Sequence, residues 1–534
     1  MITILSAIAA LFAVACFFVE FRRDLMMLQQ NSYRNERYSR WLRASQDTTS
    51  AMRLVSGAVV LASMSTLSVP VVSMSLIAFV SAVNVIILVR RKYKKPLVMT
   101  NRAWRILSVM LILAALVVVA AGVVGWKYGR EFEYAAVASL CVFCFSHLFS
   151  MSANWLLKPV EKRINNGYYK DAERILRSMP DLRIIGVTGS YGKTSTKHYL
   201  NRILSEHFDV MMTPGSYNTT MGVIRTIREY LKPYNEVFIV EMGAKQIGDI
   251  KEICDLVHPS VGIVTAVGEQ HLESFKSIEN VQRTKFELID SLPADGGLAV
   301  INNDFPYVAN RPVSNVECVR YAVSDTGNAD YVATDITYTP AGTKFTVRTP
   351  QGGAMEFSTH LVGECNVSNL LAAVIVAMRL GVPEDKIRYA VGQIEQVEHR
   401  LNMKRTPGGV TIIDDAFNSN PTGSSMALDV LAMMKSGRRI IVTPGMIELG
   451  DRQVELNRNF GQKIAKSADI AIVVGEYNRE TIVDGINAGK EDSTSSTVEI
   501  HTVPTFLDSQ RLLGTMLRSG DTVLYENDLP DTFK

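Results

Sequence analysis

The chain has 534 residues, more than one ordinary domain holds, so two to four domains are expected. Hydrophobic residues make up 47% and charged residues 20%, and a net charge of +3 gives the chain as a whole no signal of nucleic-acid binding. The six cysteines (Cys16, Cys141, Cys144, Cys254, Cys318 and Cys365) are too scattered for a disulfide framework.

The average hides a split. Residues 1–157 are strongly apolar, and the remainder reads as soluble α/β. Apolar runs cover 2–19, 54–89, 106–126 and 134–157. About 20 apolar residues cross a bilayer, so 54–89, broken by Pro70, reads as a hairpin of two short spans turning near residues 68–70. Basic residues flank that run on both sides: Arg22, Arg23, Arg34, Arg37, Arg40, Arg43 and Arg53 before it, and Arg90, Arg91, Lys92, Lys94 and Lys95 after it. Basic loops stay in the cytoplasm, and a hairpin keeps both clusters there. Five spans are expected, with four as the alternative, residues 127–133 lying outside and the chain re-entering the cytoplasm after 157. Residues 1–19 have no basic leader and no small-x-small site before Phe21, so they read as a retained span. His147 is the one ionisable residue expected deep in a span, which favours an anchor in the lipid bilayer over a pump.

A charged, helix-compatible connector follows at 158–182. Residues 183–204 then read RIIGVTGSYGKTSTKHYLNRIL, an apolar strand, a glycine-bearing turn and a helix. The strict phosphate-loop spacing has a glycine where Val187 stands, but the physics survives. Backbone N–H groups around Gly189, Ser190 and Gly192 can cradle phosphate at a helix N-terminus. Lys193 would reach the β/γ-phosphates, Thr194 would bind Mg²⁺, and Ser195 completes the loop. Residues 236–250, EVFIVEMGAKQIGDI, place Glu241 at the end of a continuously apolar strand, a natural Mg²⁺ ligand beside a phosphate loop. Residues 260–275 give another apolar strand followed by His271, and 213–222 a polar loop. Lys285 sits in the helical pattern VQRTKFELI, where by itself it reads as a surface lysine. Residues 331–357 alternate like antiparallel strands and are expected to form a small subsheet. From residue 406, GVTIIDD, RRIIVTP, IAIVVG and DTVLYE mark strand–helix units of a smaller Rossmann-like lobe.

Eight segments in this order resemble the Mur ligase family of ATP-dependent amide-bond formers, most closely its D-alanyl-D-alanine-adding type. TGSYGKTS resembles the family's TGxxGKT loop. VEMGA, HLESF and TKFEL resemble the segments that carry a Mg²⁺-binding Glu, a metal-binding His and a carbamylated Lys, which places those roles at Glu241, His271 and Lys285. LVGECNVSN resembles G-x-H-N-x-x-N, with Asn366 and Asn369 near the nucleotide and Cys365 in place of the family histidine. EHRLN gives Arg400 as the arginine near the phosphates. DDAFNSNP puts Asp415, Asn418 and Asn420 near ATP and the hinge, and PGMIELG retains Glu448. The resemblance implies ATP, two Mg²⁺ ions and a carbamylated lysine as cofactors, and an acyl-phosphate route. It implies an amino acid or peptide and an envelope precursor as substrates.

The expected fold class is therefore an α-helical membrane domain (1–157) and the connector (158–182), then α/β. The α/β part divides into a phosphate-loop central domain (183–405) and a Rossmann-like C-terminal domain (406–534). Membrane spans occupy the place of the family's N-terminal UDP-sugar-binding domain. YENDLPD (525–531) replaces the family's late K-G-S-R-type segment. These departures keep a second reading open, a related ligase making a γ-linked polyglutamate or capsule polymer.

Overall fold

The computed structural model describes residues 2–65, 69–93, 95–323, 327–339, 342–416, 419–491 and 497–528. Expectations that rest on Lys94 and Asn418, and on residue 68 of the hairpin turn, lie outside the described residues. The chain divides into two compact units, residues 2–166 and 167–528.

The first unit is helical. Its helices are Ile2–Gln30, Asn35–Ala44, Ala51–Ser65, Pro70–Arg90, Asn101–Trp126 and Glu131–Cys144, with Ser146–Arg177 leading on into the second unit. Three of them, Ile2–Gln30, Pro70–Arg90 and Asn101–Trp126, are long and apolar enough to cross a membrane. Glu131–Cys144 and Ser146–Arg177 meet at a 74° bend and together could make a fourth crossing. The expected hairpin appears as two helices, Ala51–Ser65 and Pro70–Arg90. The count of five full spans is not met: Ala51–Ser65 has 15 residues, about 22 Å of helix against a hydrocarbon core of about 30 Å.

The bundle interior also corrects the expectation that only His147 is ionisable there. The first helix continues well past Val19 and carries Glu20, Arg23 and Asp24 into the bundle. Arg53, 4% exposed, donates to Glu20 Oε1 at 2.7 Å and to Asp47 Oδ2 at 3.2 Å. It also donates to the carbonyls of Phe143 and Cys144 and to Ser146 Oγ, each at 3.0 Å. Arg23 bonds Glu20 Oε1 at 2.7 Å, and Tyr38 donates to Asp24 Oδ1 at 2.9 Å. Arg53 thus satisfies the carbonyls left open where the helix Glu131–Cys144 breaks. Two of the arginines counted as topological signals are spent on this buried network.

The second unit holds two sheets. The first comprises β1 (Arg183–Thr188), β2 (Val210–Met212), β3 (Val237–Glu241), β4 (Val261–Val264), β5 (Leu298–Asn302), β6 (Glu317–Ala322), β7 (Tyr331–Thr339), β8 (Gly342–Arg348) and β9 (Ala354–Thr359), in the order β2–β3–β1–β4–β5–β6–β7–β8–β9. The pairs from β2 to β7 are parallel, and β7–β8 and β8–β9 are antiparallel. The antiparallel strands expected at 331–357 therefore extend the main sheet and form no subsheet of their own. β3, β4 and β5 are buried at every position, whereas β9 alternates exposed and buried. That is the pattern of strands covered on two faces against one covered on a single face. Along β1 the side chains split between two cores. Ile185 and Val187 pack with Tyr199, Leu200, Leu370 and Val374 from the helices Lys193–Leu204 and Glu364–Arg379, and Ile184 packs on the opposite face with Phe238 and Ile253.

The second sheet comprises β10 (Asn402–Arg405), β11 (Thr411–Asp415), β12 (Arg439–Thr443), β13 (Ile470–Val474), β14 (Glu499–Val503) and β15 (Thr522–Glu526), in the order β10–β11–β15–β12–β13–β14. All pairs are parallel except β10–β11. The four sequence-expected strands are β11, β12, β13 and β15. β10 and β14 are short polar edge strands whose residues carry no apolar run to reveal them.

Candidate active site

β1 lies between β3 and β4, so the chain passes over it and strand succession reverses around it. Ligands of open α/β sheets bind at the C-terminal ends of the strands at such a point. β1 ends in the phosphate loop, and the helix Lys193–Leu204 starts directly after Gly192. Gly189 has φ +152° and Gly192 φ +82°. A Cβ at Gly189 would collide with Thr265 Oγ1 and one at Gly192 with Asn369 Oδ1, so both positions need glycine. Ser190 Oγ holds the loop to Gly268, accepting from its N–H and donating to its carbonyl, each at 3.0 Å.

Lys193 folds back on the loop and donates to the carbonyls of Gly189 at 2.6 Å and Ser190 at 3.2 Å. Burial draws its ammonium pKa down to about 8, against the pull of Glu241. Thr194 Oγ1 donates to Glu241 Oε1 at 3.2 Å, and Asn218 Nδ2, from the polar loop at 213–222, donates to the same oxygen at 3.0 Å. Lys197 was missed in the sequence. It is fully buried, 2.9 Å from Glu241 Oε2 and 2.7 Å from the carbonyl of Gly215. Its signal was its position one helical turn after Lys193, on the same face. Burial alone would raise the Glu241 carboxyl, but Lys197 and Lys193 outweigh it and hold it below its usual value.

Glu241 also tests whether the residues fit Mg²⁺. Its Oε2 is buried and receives no hydrogen bond of acceptable geometry, although it lies beside Lys197. An ionised carboxylate held below its usual pKa, next to a threonine hydroxyl at 3.2 Å, is a hard-oxygen donor set of the kind Mg²⁺ takes. The residues fit.

Lys285 is not a surface lysine. It is 2% exposed on the inner face of the helix Ile278–Asp290, and burial, with Lys193 adding to it, pushes its pKa well below the usual lysine value. His271 follows β4 and its Nδ1 contacts Glu448 Oε2 from the C-terminal lobe. Burial lowers its pKa, Glu448 opposes that, and Lys285 adds to the lowering. Lys193, Glu241, Lys285 and His271 therefore lie in one electrostatic field.

Asn366 and Asn369 are buried on the helix Glu364–Arg379. Asn366 Oδ1 accepts from Tyr199 OH at 2.8 Å, and Asn369 Oδ1 from Thr196 Oγ1 at 3.2 Å, so both tie that helix to the phosphate-loop helix. Ser195 is buried on the same helix. Asn420 caps the helix Pro421–Met433, its Oδ1 accepting from Gly423 N at 2.9 Å. Arg400 lies in the field of Asp415, Glu241 and Glu526, and burial lowers its pKa. Asp415 and Glu526 are register partners on β11 and β15. Burial raises Asp415 to about 6 and Glu526 well above its usual value. Ser419 and Ser424 bond Glu526 Oε1 at 2.7 and 2.9 Å, and the Asp415 carboxyl lies against Glu526. Beside the phosphate loop, residues 393–400 line a cavity of about 700 Å³ with Thr194, His198, Arg202 and Gly215.

The models of known families match as Mur ligase middle domain over residues 187–377 and Mur ligase, glutamate ligase domain over 399–525. The UDP-N-acetylmuramoyl-tripeptide–D-alanyl-D-alanine ligase of Mycobacterium bovis is 31% identical over 367 residues, 64% of this chain and 70% of the relative. The chain belongs to the Mur ligase family. Its members are ATP-dependent, ADP-forming ligases. The Bacillus subtilis enzyme of the same name is 30% identical over 286 residues, 53% of this chain, and the match spans 60% of that relative's length. The MurF ligase of Thermotoga maritima, solved in complex with ADP, superposes with a TM-score of 0.61 at 25% identity over 68% of this chain and 80% of its own. The two family models account for the second unit. The first unit lies outside them.

Proposed function

We propose that this Mur ligase joins the carboxylate of a cell-envelope precursor peptide to the amine of an incoming amino acid or dipeptide, with D-alanyl-D-alanine as the acceptor its curated relatives suggest. The observation that carries the reading is the meeting of the loop 189–195 with Glu241, His271 and the buried Lys285. The loop N–H groups hold the phosphates. Lys193 leaves the carbonyls of Gly189 and Ser190 for the β/γ-phosphates, a short swing for a flexible side chain. Thr194 and Glu241 hold one Mg²⁺, and His271 with a carbamylated Lys285 holds a second. Bound there, Mg²⁺ neutralises the charge of two anions brought together. The peptide carboxylate attacks the γ-phosphorus, giving an acyl phosphate and ADP. The neutral amine then attacks the acyl carbon, and phosphate leaves. Asn366, Asn369, Arg400 and Asp415 border the nucleotide. Closure of the C-terminal lobe keeps water from the acyl phosphate.

Carbamylation needs a neutral amine to add CO₂, and burial, which lowers the Lys285 pKa, favours that neutral form. The first unit serves as an anchor in the cell membrane, with the catalytic domains in the cytoplasm, where ATP is. Phosphate release by the full-length protein, with ATP and Mg²⁺, tests the reading. Release is expected with a muramoyl-tripeptide donor, UDP- or lipid-linked, together with D-alanyl-D-alanine. Release with glutamate alone as the acceptor, and none with the dipeptide, would overturn it in favour of a polyglutamate-type ligase.

A further inference from the structure

Two non-glycine residues with left-handed backbones face each other across the two α/β domains. His271 has φ +54° and Glu448 φ +62°. Such conformations persist where the surroundings hold them, and they concentrate at working sites. Here the imidazole Nδ1 of His271 meets Glu448 Oε2. The backbone repeats the contact, Glu273 N donating to the carbonyl of Glu448 at 3.2 Å. Arg452 pairs with Glu269 beside it. A Cβ at Gly450 would lie 3.5 Å from Glu273 N, so the two segments run in van der Waals contact. Residues 269–274, from the nucleotide domain, are thus clasped by residues 448–452, from the C-terminal lobe.

A carboxylate on Nδ1 fixes the tautomer of an imidazole. Nδ1–H donates to the acid, and the lone pair is left on Nε2, the form in which histidine ligates metal. We propose that Glu448 is a positioning residue that sets His271 for divalent-cation ligation, so that lobe closure and cation binding favour one another. The proposal rests on the reading of His271 as a cation ligand given above. The coupling is reciprocal: the closed lobe presents the imidazole in one orientation, and a cation on the imidazole holds the lobe closed.

The test is ADP binding to the full-length protein in detergent, by calorimetry, first in EDTA and then across a Mg²⁺ series. Glu448→Ala should raise the Mg²⁺ concentration that half-saturates the enhancement of ADP binding by about 10-fold or more. ADP affinity in EDTA should stay unchanged. Glu448→Gln keeps an acceptor for Nδ1–H and the side-chain shape, and should shift it only a few-fold, which separates positioning from misfolding. Arg452→Ala breaks the neighbouring interdomain pair without touching the imidazole, and should leave the Mg²⁺ dependence near that of the parent. An unchanged Mg²⁺ dependence in Glu448→Ala, with His271→Ala shifted, would overturn the proposal and leave the cation reading standing. Equal shifts in Glu448→Ala and Arg452→Ala would also overturn it, reducing Glu448 to a docking contact. No shift in His271→Ala would instead sink the cation reading itself.

Discussion

Lys193 and Lys285 share one field, yet only Lys193 has backbone carbonyls of its own loop within bonding distance. Burial lowers the Lys285 pKa, which favours the neutral amine. Lys285→Ala should therefore lower kcat about 100-fold or more, and added acetate or bicarbonate should restore part of it by supplying the missing carboxylate. Steady-state phosphate release with and without acetate checks this, and full activity without acetate would leave Lys285 a packing residue. A second consequence follows from Asp415 and Glu526, two buried carboxyls side by side on β11 and β15. Their folded pKa values are raised, Asp415 to about 6. The folded state then binds more protons than the unfolded state between about pH 4 and 6. Stability is greatest below that window and is lost as pH rises through it. Glu526→Gln replaces an acid held above its usual range by a neutral amide that can donate to Asp415 at any pH. It should stabilise the protein by about 1 kcal/mol at pH 8 and flatten the loss between pH 4 and 6. Thermal unfolding midpoints at pH 5 and pH 8 measure both effects, and a variant less stable than the parent at pH 8 contradicts the account.

At the scale of elements, the segments whose local chemistry and global place agree were legible in the sequence. β1, β3 and β4 are unbroken apolar runs, and each ends in a residue of chemical interest or leads into one: the phosphate loop, Glu241, His271. Much of what stayed hidden depends on partners far away in sequence. The burial of Lys285 was missed although its signal is local: Val281, Leu288 and Ile289, at i−4, i+3 and i+4, put it on the apolar stripe of that helix, and its charge reads as overriding that stripe. Glu448 was visible as a retained motif residue, but its contact with His271 spans 177 positions. β10 and β14 are polar edge strands that exist only by pairing. The continuation of the first helix beyond Val19 was missed because Glu20, Arg23 and Asp24 look like the end of an apolar span, and Arg53 and Asp47 make them interior residues. That network predicts its own fragility. Arg53→Met would leave Glu20 to Arg23 alone, weaken the hold on Asp47 and Asp24, and leave the carbonyls of Phe143 and Cys144 without the Arg53 donor, so the first unit should lose about 3–5 kcal/mol. Thermal unfolding of the full-length protein in detergent should show a lowered first transition, and an unchanged one would make the network incidental.

At the scale of the whole molecule, the outward faces of the first unit carry many exposed apolar side chains, which supports the membrane anchor proposed above. Leu11, Leu61, Phe79 and Leu116 are each at least 64% exposed, and water would not tolerate so many apolar side chains in one surface. The helix Asn101–Trp126 carries Trp104 near one end and Trp126 at the other, both exposed. They are separated by about 33 Å of helix, close to the thickness of a hydrocarbon core, where interfacial tryptophans sit. One crossing by this helix puts Arg90, Arg91 and Lys92 on one face and Tyr128 on the other. On the anchored reading proposed above, the bent pair Glu131–Cys144 and Ser146–Arg177 returns the chain to the side of the phosphate loop. Single cysteines at Tyr128 and Asn166, both exposed positions, test this in a background with the six native cysteines replaced. An impermeant thiol reagent on intact cells should label Tyr128→Cys and spare Asn166→Cys until the cells are opened. Labelling of Asn166→Cys in intact cells would place the ATP site on the side without ATP and would defeat the membrane-anchored ligase. Labelling of neither would show that the helix Asn101–Trp126 does not cross, whatever its length and its tryptophans.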